Sequence, residues 1–380
     1  MSAEATQQGG IPDEDIPDMI ISGKFWKKGD KYKMYIQGKE TKTIPCKDMT
    51  SYYEDVVCKD DFIQKIKDSK KLSFYQLAKQ YDNLIKYDAK VNKTSFCGNP
   101  IIYHYFIDGL LNTKYKGKSF VDNFNKDKKR MLEQVAQMDR RKTQPIEPID
   151  FFELNRSVVF FKPTQAKHLV DYYCLNERTL EHRIRVLDCC GGWGSRLLGI
   201  MSHPQVKYVK VNDTNVDLIQ KYRRVAHDIE QRKEVSYPDY DLQTYHDFTC
   251  KDAIEFLGDC EKNDDKYDLF LTSPPYYNLE IYPHMKAWKT EQDYYKWLKV
   301  CMITAYNSLT EDNGWAMWNV SPKIYETITT HYNIRPCDEE IDLKQQKNKR
   351  KDSQDKIYVW KKTPEKTSVY IPAMEYGFSG

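Results

Sequence analysis

From about residue 151 onward the sequence predicts an α/β fold built on a mostly parallel, doubly wound sheet. Three observations carry this expectation. Short apolar runs alternate with stretches of helical spacing, the pattern of βαβ units. The first run ends in an acid followed by glycines, Asp188-Cys189-Cys190-Gly191-Gly192-Trp193-Gly194. A later run, Tyr267–Thr272, ends in the unusual corner Ser273-Pro274-Pro275-Tyr276.

The elements follow in order. Phe160-Phe161-Lys162-Pro163-Thr164-Gln165 opens a helix, because a proline in the first turn gives up only an N–H that would have no helical partner there. Leu169, Val170 and Tyr173 form its apolar face. Ile184–Leu187 is the first strand and Val206–Val211 the second. A third falls near Thr244–Thr249, Tyr267–Thr272 is the fourth and Gly314–Val320 the fifth. Glu291–Leu309 has helical spacing, with Tyr294, Trp297, Leu298 and Met302 on one face. Lys356–Trp360 reads as a late strand.

The preceding part has a different texture. Residues 1–22 are small, polar and acidic, a composition that does not fold alone. Residues 23–150 are rich in Lys, Tyr and Asp, and form a separate basic and aromatic region. Tyr32–Ile36 is a candidate strand with Gly38 as its turn, and Phe62–Leu84 reads as helical. Basic clusters lie at Lys24–Lys33, Lys114–Lys118, Lys126–Arg130 and Arg140–Lys142, and Pro145 and Pro148 mark a boundary. Residues 366–380 form a C-terminal tail.

Composition narrows the function classes. A 380-residue chain with 40% hydrophobic residues supports a sizeable core. A net charge of +3 excludes a bulk polycation, so any nucleic-acid surface must come from local segregation of charge. The ten cysteines include no Cys-x-x-Cys pair, and neither they nor the eight histidines have metal-ligand spacing, so no metal is expected. Scattered thiols without a leader sequence imply a reducing, intracellular setting: cytoplasm, nucleus or viral factory. No apolar run is long enough to span a bilayer.

The glycine loop has the physics of a nucleotide-type site at the carboxyl edge of a parallel sheet. Glycines permit a tight turn and close backbone approach to a ligand. Asp213, 25 residues past Asp188 at the end of the second strand, can accept from both hydroxyls of a ribose or can cap the following helix. In the corner, the prolines donate no backbone hydrogen bond, which leaves nearby carbonyls free to accept from a ligand. The Tyr276 ring can stack on a flat ring.

Ser-Pro-Pro-Tyr resembles the catalytic motif of S-adenosylmethionine-dependent amino-methyltransferases, as found in bacterial, phage and viral DNA methylases. There the pattern is Asp, Asn or Ser, then Pro-Pro and an aromatic. The glycine loop resembles the family's Asp-x-Phe-x-Gly-x-Gly, with Gly192 and Gly194 in register and Cys190 in place of Phe. The resemblance covers roughly residues 155–362, with the cofactor motif preceding the catalytic one, and extends through Tyr277–Tyr282. It implies a Rossmann-like class I methyltransferase, a seven-stranded sheet carrying an N-terminal α+β extension.

The resemblance also implies roles. S-adenosylmethionine would be the cofactor, with Asp188 near its ammonium group and Asp213 at its ribose. Asp252 would meet its adenine amine, although it can equally be a plain helix cap. Phe161, Lys162 and Thr164 would close over its methionine tail, or simply begin a helix that packs on the sheet. Ser273 and the Pro274 carbonyl would accept from an exocyclic NH2, Pro275 would stiffen the corner and Tyr276 would stack on the base. Asn278 is a further possible polar contact. Ser in the first position is commoner among N4-cytosine enzymes, so the expected reaction is methylation of cytosine N4 ahead of adenine N6 in DNA, on a flipped or single-stranded base. Residues 23–150 would bind phosphates, and Lys344–Lys351 is either a basic loop near the DNA or a solvated connection. The competing expectations are an RNA base methyltransferase, a protein glutamine methyltransferase (which Ser273 argues against) and an inactive nucleic-acid-binding subunit.

Overall fold

A computed structural model describes residues 61–89, 95–126, 148–155, 158–176, 182–282, 285, 287–342 and 356–371, with the backbone of Lys24–Lys28, Lys31–Ile36 and Lys39–Pro45. The acidic N-terminus, Arg140–Lys142, Lys344–Lys351 and residues 372–380 lie outside the described residues.

The chain divides into two units, residues 1–71 with 108–158, and residues 72–107 with 159–380. The composition boundary near residue 150 is therefore not the boundary of packing. Leu72–Ile107 packs with the later chain because specific polar contacts hold it there. Lys167 is buried and its Nζ donates to the Leu84 and Ile85 carbonyls at 2.8 and 2.7 Å. Arg232 forms a two-pronged ion pair with Asp82 at 2.8 and 2.7 Å.

The first unit contains a three-stranded antiparallel meander, Lys24–Lys28, Lys31–Ile36 and Lys39–Pro45. Its helices Phe62–Ser69, Phe120–Lys126 and Pro148–Asn155 bring Phe62, Phe120, Phe124, Phe151 and Phe152 into one aromatic cluster. The stretch expected as one helix over Phe62–Leu84 is two, Phe62–Ser69 and Phe74–Ile85. The physical reason is Ser73, whose hydroxyl accepts from Gln76 N while the Gln76 side chain accepts from Ser73 N, a capping box that starts a new helix.

The second unit carries the sheet. Its strands are β1 (Ile184–Asp188), β2 (Val206–Asn212), β3 (Tyr245–Thr249), β4 (Leu269–Thr272), β5 (Trp315–Val320), β6 (Glu339–Asp342) and β7 (Lys356–Lys361). Their spatial order is 3-2-1-4-5-7-6, with β7 antiparallel to both β5 and β6 and all other pairs parallel. This is the Rossmann-like class I methyltransferase fold. The helices are α1 (Phe74–Ile85), α2 (Asn99–Asn112), α3 (Pro163–Asn176), α4 (Ser195–Met201), α5 (Val216–Ser236), α6 (Ala253–Lys262), α7 (Glu291–Asn307) and α8 (Pro322–His331). Strand β6 was not expected, because Glu-Glu-Ile-Asp buries only Ile341 and sits at the sheet edge. Every residue of β4 and β5 is buried, as a strand covered by helices on both faces requires. No described helix is long and apolar enough to cross a membrane.

Helices α3 and α4 meet at Gly199. A Cβ added there would lie 2.1 Å from the Pro163 carbonyl oxygen and 2.7 Å from Ala166 Cβ. Gly199→Ala is therefore expected to force two packed helices apart and to destabilise the fold by about 1–3 kcal/mol. A urea midpoint lowered at unchanged slope would report this; an unchanged midpoint would mean that the crossing yields freely.

Candidate active site

The carboxyl ends of β1, β2 and β4 lie side by side, and the candidate residues cluster there. Asp188 ends β1 and is fully buried. Its carboxylate accepts from Arg196 Nε at 2.8 Å, Arg196 Nη2 at 3.4 Å, Cys190 N at 3.1 Å and Thr272 Oγ1 at 2.8 Å. The carboxylate is thus occupied by protein donors. In this arrangement Asp188 ties the glycine loop to the tip of β4. Arg196, itself buried, also donates to the Cys190 carbonyl. Sequence reading assigned Arg196 and Thr272 no role. The signal was an arginine just inside the helix that follows the glycine loop.

The loop is shaped by three glycines with different duties. Gly192 and Gly194 have φ of +57° and +68°, the left-handed region that favours glycine. Gly191, which the motif leaves unassigned, is demanded by packing: a Cβ would lie 2.5 Å from Val211 Cγ1 and 2.8 Å from Tyr222 Oη. At Gly192 an added Cβ would face open space, with only the Cys190 carbonyl at 3.9 Å. The Cys190 side chain is partly buried, with its Sγ 3.7 Å from Cys189 Sγ, and that neighbour together with burial pushes the thiol up.

Asp213 follows β2. Its Oδ2 accepts from Gly192 N at 2.8 Å and its Oδ1 from Asn215 N at 3.0 Å. Helix α5 begins at Val216 with Asn215 as its cap, so Asp213 is not the cap residue. Burial pushes the Asp213 carboxyl up to about 6, against the two backbone N–H groups that favour its charged form. Asn212, fully buried, braces the neighbouring loops by donating to the Cys189 and Lys251 carbonyls and accepting from Lys251 N and Thr249 Oγ1. Asp252 is the exposed cap of α6, its Oδ1 accepting from Ile254 N at 2.9 Å.

The segment before α3 divides. The Arg196 guanidinium lies 5.9 Å from the centre of the Phe161 ring, which places Phe161 beside the β1 loop. Lys162 Nζ lies 4.9 Å from the centre of the Phe96 ring. Thr164 is buried and donates to the Ser95 carbonyl at 3.4 Å, so its hydroxyl packs this segment against residue 95.

At the tip of β4, Ser273 Oγ donates to Asn319 Oδ1 at 3.1 Å. Pro274 is buried, and Pro275 and Tyr276 are partly exposed. Tyr277 has φ of +42° and Leu279 N bonds back to the Tyr276 carbonyl at 2.9 Å, a tight reversal that turns the chain immediately after the corner. Asn278 pairs with one backbone residue: its Oδ1 accepts from Trp288 N at 3.1 Å and its Nδ2 donates to the Trp288 carbonyl at 2.9 Å. These two bonds close the loop on itself. The Trp288 ring packs edge-on against Tyr294 at 5.0 Å, which anchors the loop on α7.

Observations independent of the motif leave polar groups and room for a ligand here. Gln165 Nε2 and Trp193 Nε1 are buried donors without a hydrogen-bond partner among the described residues. Open space fronts the one loop glycine where a Cβ would meet nothing closer than 3.9 Å.

No protein-family model matches the chain. No curated protein matches it in sequence. Solved structures are similar to about half of this chain. A SAM-dependent methyltransferase from Agrobacterium tumefaciens is 14% identical, with a TM-score of 0.34 over 56% of this chain and 65% of its own. The rRNA methyltransferase aviRa from Streptomyces viridochromogenes is 11% identical, with a TM-score of 0.32 over 54% of this chain and 86% of its own. The bifunctional kinase-methyltransferase WbdD is 11% identical, with a TM-score of 0.33 over 53% of this chain and 39% of its own. The chain thus spans just under two thirds of the first and well under half of the third. Likenesses this distant carry nothing about substrate; the strand order and the residues above define the fold and its candidate site.

Proposed function

We propose that this chain is an S-adenosylmethionine-dependent methyltransferase acting on the exocyclic amine of a nucleobase in DNA, cytosine N4 ahead of adenine N6. One observation carries the reading. Thr272, the residue before Ser-Pro-Pro-Tyr, and the Gly192 loop both hang on a single buried carboxylate, Asp188, directly or through Cys190 N. A cofactor-type loop and an amine-accepting corner are thereby held next to each other, as transfer between two bound molecules needs.

When bound, S-adenosylmethionine supplies an electrophilic methyl group on a sulfonium. The chain does the rest by position. Asp213 would hold the ribose hydroxyls and Asp252, with one oxygen beyond its capping bond, the adenine amine. Phe161, Lys162 and Gln165 would line the methionine end. At the corner, Ser273 and the Pro274 carbonyl accept from the two N–H groups of the target amine, which turns its lone pair out of the ring plane and toward the methyl. The cofactor would give up its methyl to that amine and leave as the neutral sulfide, and the amine would release one proton to water. Tyr276 stacks on the base, and the Ser273-for-Asp departure from the N6 pattern favours cytosine.

DNA is supported by the likeness of the corner and Tyr277–Tyr282 to DNA methylases. Phosphate contacts would come from the first unit, where exposed Lys114, Lys116 and Lys118 ride on a tight turn between Tyr115 and Lys118. The partner is nucleic acid and no membrane is involved.

The test is methyl transfer from labelled cofactor to duplex DNA, single-stranded DNA and RNA, read by mass spectrometry of the nucleosides. N4-methylcytosine in DNA is the expected product. Tyr276→Ala is expected to lower kcat/KM roughly 5- to 150-fold, the worth of one base–aromatic stack. Product in RNA alone would move the reading to an RNA enzyme. No product on any of the three would reject it.

A further inference from the structure

Ser273 carries one O–H donor and two acceptor lone pairs, and a free hydroxyl could serve a substrate in either sense. Here it is not free. Asn319 lies near the end of β5, where the register sets Trp318 opposite Thr272 and so brings Asn319 level with Ser273. It is the polar residue in an otherwise apolar strand, Trp-Ala-Met-Trp-Asn-Val, and is 6% exposed. Its Nδ2 donates to the Lys356 carbonyl at 3.2 Å. A backbone carbonyl only accepts, so the amide atom facing it must be nitrogen and the atom facing Ser273 must be Oδ1. An amide oxygen also only accepts, so Ser273 must spend its single proton on it, at 3.1 Å.

We infer that Asn319 is a specificity-determining residue that holds Ser273 as a pure hydrogen-bond acceptor, so that the corner takes ring amines and rejects ring carbonyls at the same position. The inference deepens the proposed function and rests on the corner being the substrate site. A substrate NH2 meets the remaining Ser273 lone pairs as a donor. A carbonyl in its place sets lone pair against lone pair in a half-buried site, and neither group is satisfied. Uracil and hypoxanthine, the carbonyl counterparts of cytosine and adenine, are the bases excluded. Asn319 itself touches no substrate atom in this scheme and acts through Ser273.

The experiment pairs binding with turnover. Binding of trinucleotides with a central dC or dU, and dA or deoxyinosine, is measured by calorimetry on the full chain with S-adenosylhomocysteine present. The wild type is expected to prefer the amine of at least one pair by about tenfold, the worth of one unpaired buried group. In Asn319→Leu the hydroxyl is released to donate, and the preference is expected to fall several-fold, to what the Pro274 carbonyl alone imposes. Ser273→Ala should lower the preference to the same remainder, and the double substitution should be no worse than Ser273→Ala alone in kcat. A merely structural Asn319 would instead give additive losses. Circular dichroism of each variant reports the fold. Equal or undetectable binding of both members of each pair by the wild type overturns the inference, as does an undiminished preference in a folded Asn319→Leu. Preference without methyl transfer would leave the inference standing and reject the methylation reading. Methyl transfer with additive losses would reject the inference alone.

Discussion

Arg196→Met is expected to cost the fold about 3–5 kcal/mol, the usual penalty for stripping one partner from a buried ion pair. Asp188 is fully buried and Arg196 is 4% exposed, so water cannot replace the missing guanidinium. Methionine fills the volume of the aliphatic stem but leaves the carboxylate facing only Cys190 N and Thr272 Oγ1. It also strips the Cys190 carbonyl of its guanidinium donor. The glycine loop should loosen together with the tip of β4, because both hang on the same carboxylate. Urea unfolding checks this, and Asp188→Asn combined with Arg196→Met should recover much of the loss, since no unpaired charge remains. A single variant as stable as the wild type would mean that the pair is dispensable and that the glycines, Asn212 and Asp213 suffice to hold the loop.

The second large effect concerns Asp213. Asp213→Ala removes the anchors of the Gly192 and Asn215 N–H groups together with the carboxylate proposed for the ribose. Hydrogen bonds to a charged group contribute about 1.5–3 kcal/mol each, so affinity for S-adenosylhomocysteine should fall by roughly a hundredfold or more. The pH dependence gives a separate check. With the folded carboxyl at about 6 against an ordinary 3.8, about one molecule in eleven is ionised at pH 5, and binding should weaken about tenfold there relative to pH 7.5. The effect on stability has the opposite sign. The native state holds this proton more tightly than the unfolded chain, so the contribution is complete below 3.8 and is lost as pH rises through about 6. Calorimetric titration at the two pH values decides the first point. Affinity independent of pH between 5 and 7.5 would show that the ligand does not contact the carboxylate.

Much of the sheet was legible because its signals are local. Strands buried on both faces are apolar along most of their length, so Trp315–Val320 and Leu269–Thr272 stand out in a chain that is 30% charged. Glycines at positive φ are likewise a one-residue requirement, and Gly192 and Gly194 both adopt it. The edge strand Glu339–Asp342 was not legible, since a strand exposed along most of its length leaves only a short mark on hydropathy. The break between Phe62–Ser69 and Phe74–Ile85 was missed although its capping box, Ser73 with Gln76, is written in the sequence.

The candidate site separates along the same line. Sequence by itself determined which residue types stand at the strand tips: the acid, the glycines, Asp213 and the Ser-Pro-Pro-Tyr corner. Only the tertiary structure decided how they are used. Asp188 is taken by Arg196 and Thr272, Asn278 by Trp288, Thr164 by Ser95, and Ser273 by Asn319. The physical reason is that a hydrogen-bonding group has few lone pairs and protons to give. Which neighbour takes them depends on strand register and helix packing between residues as far apart as 84 positions, as in Thr272 and Asp188, and no local pattern in the chain encodes that distance.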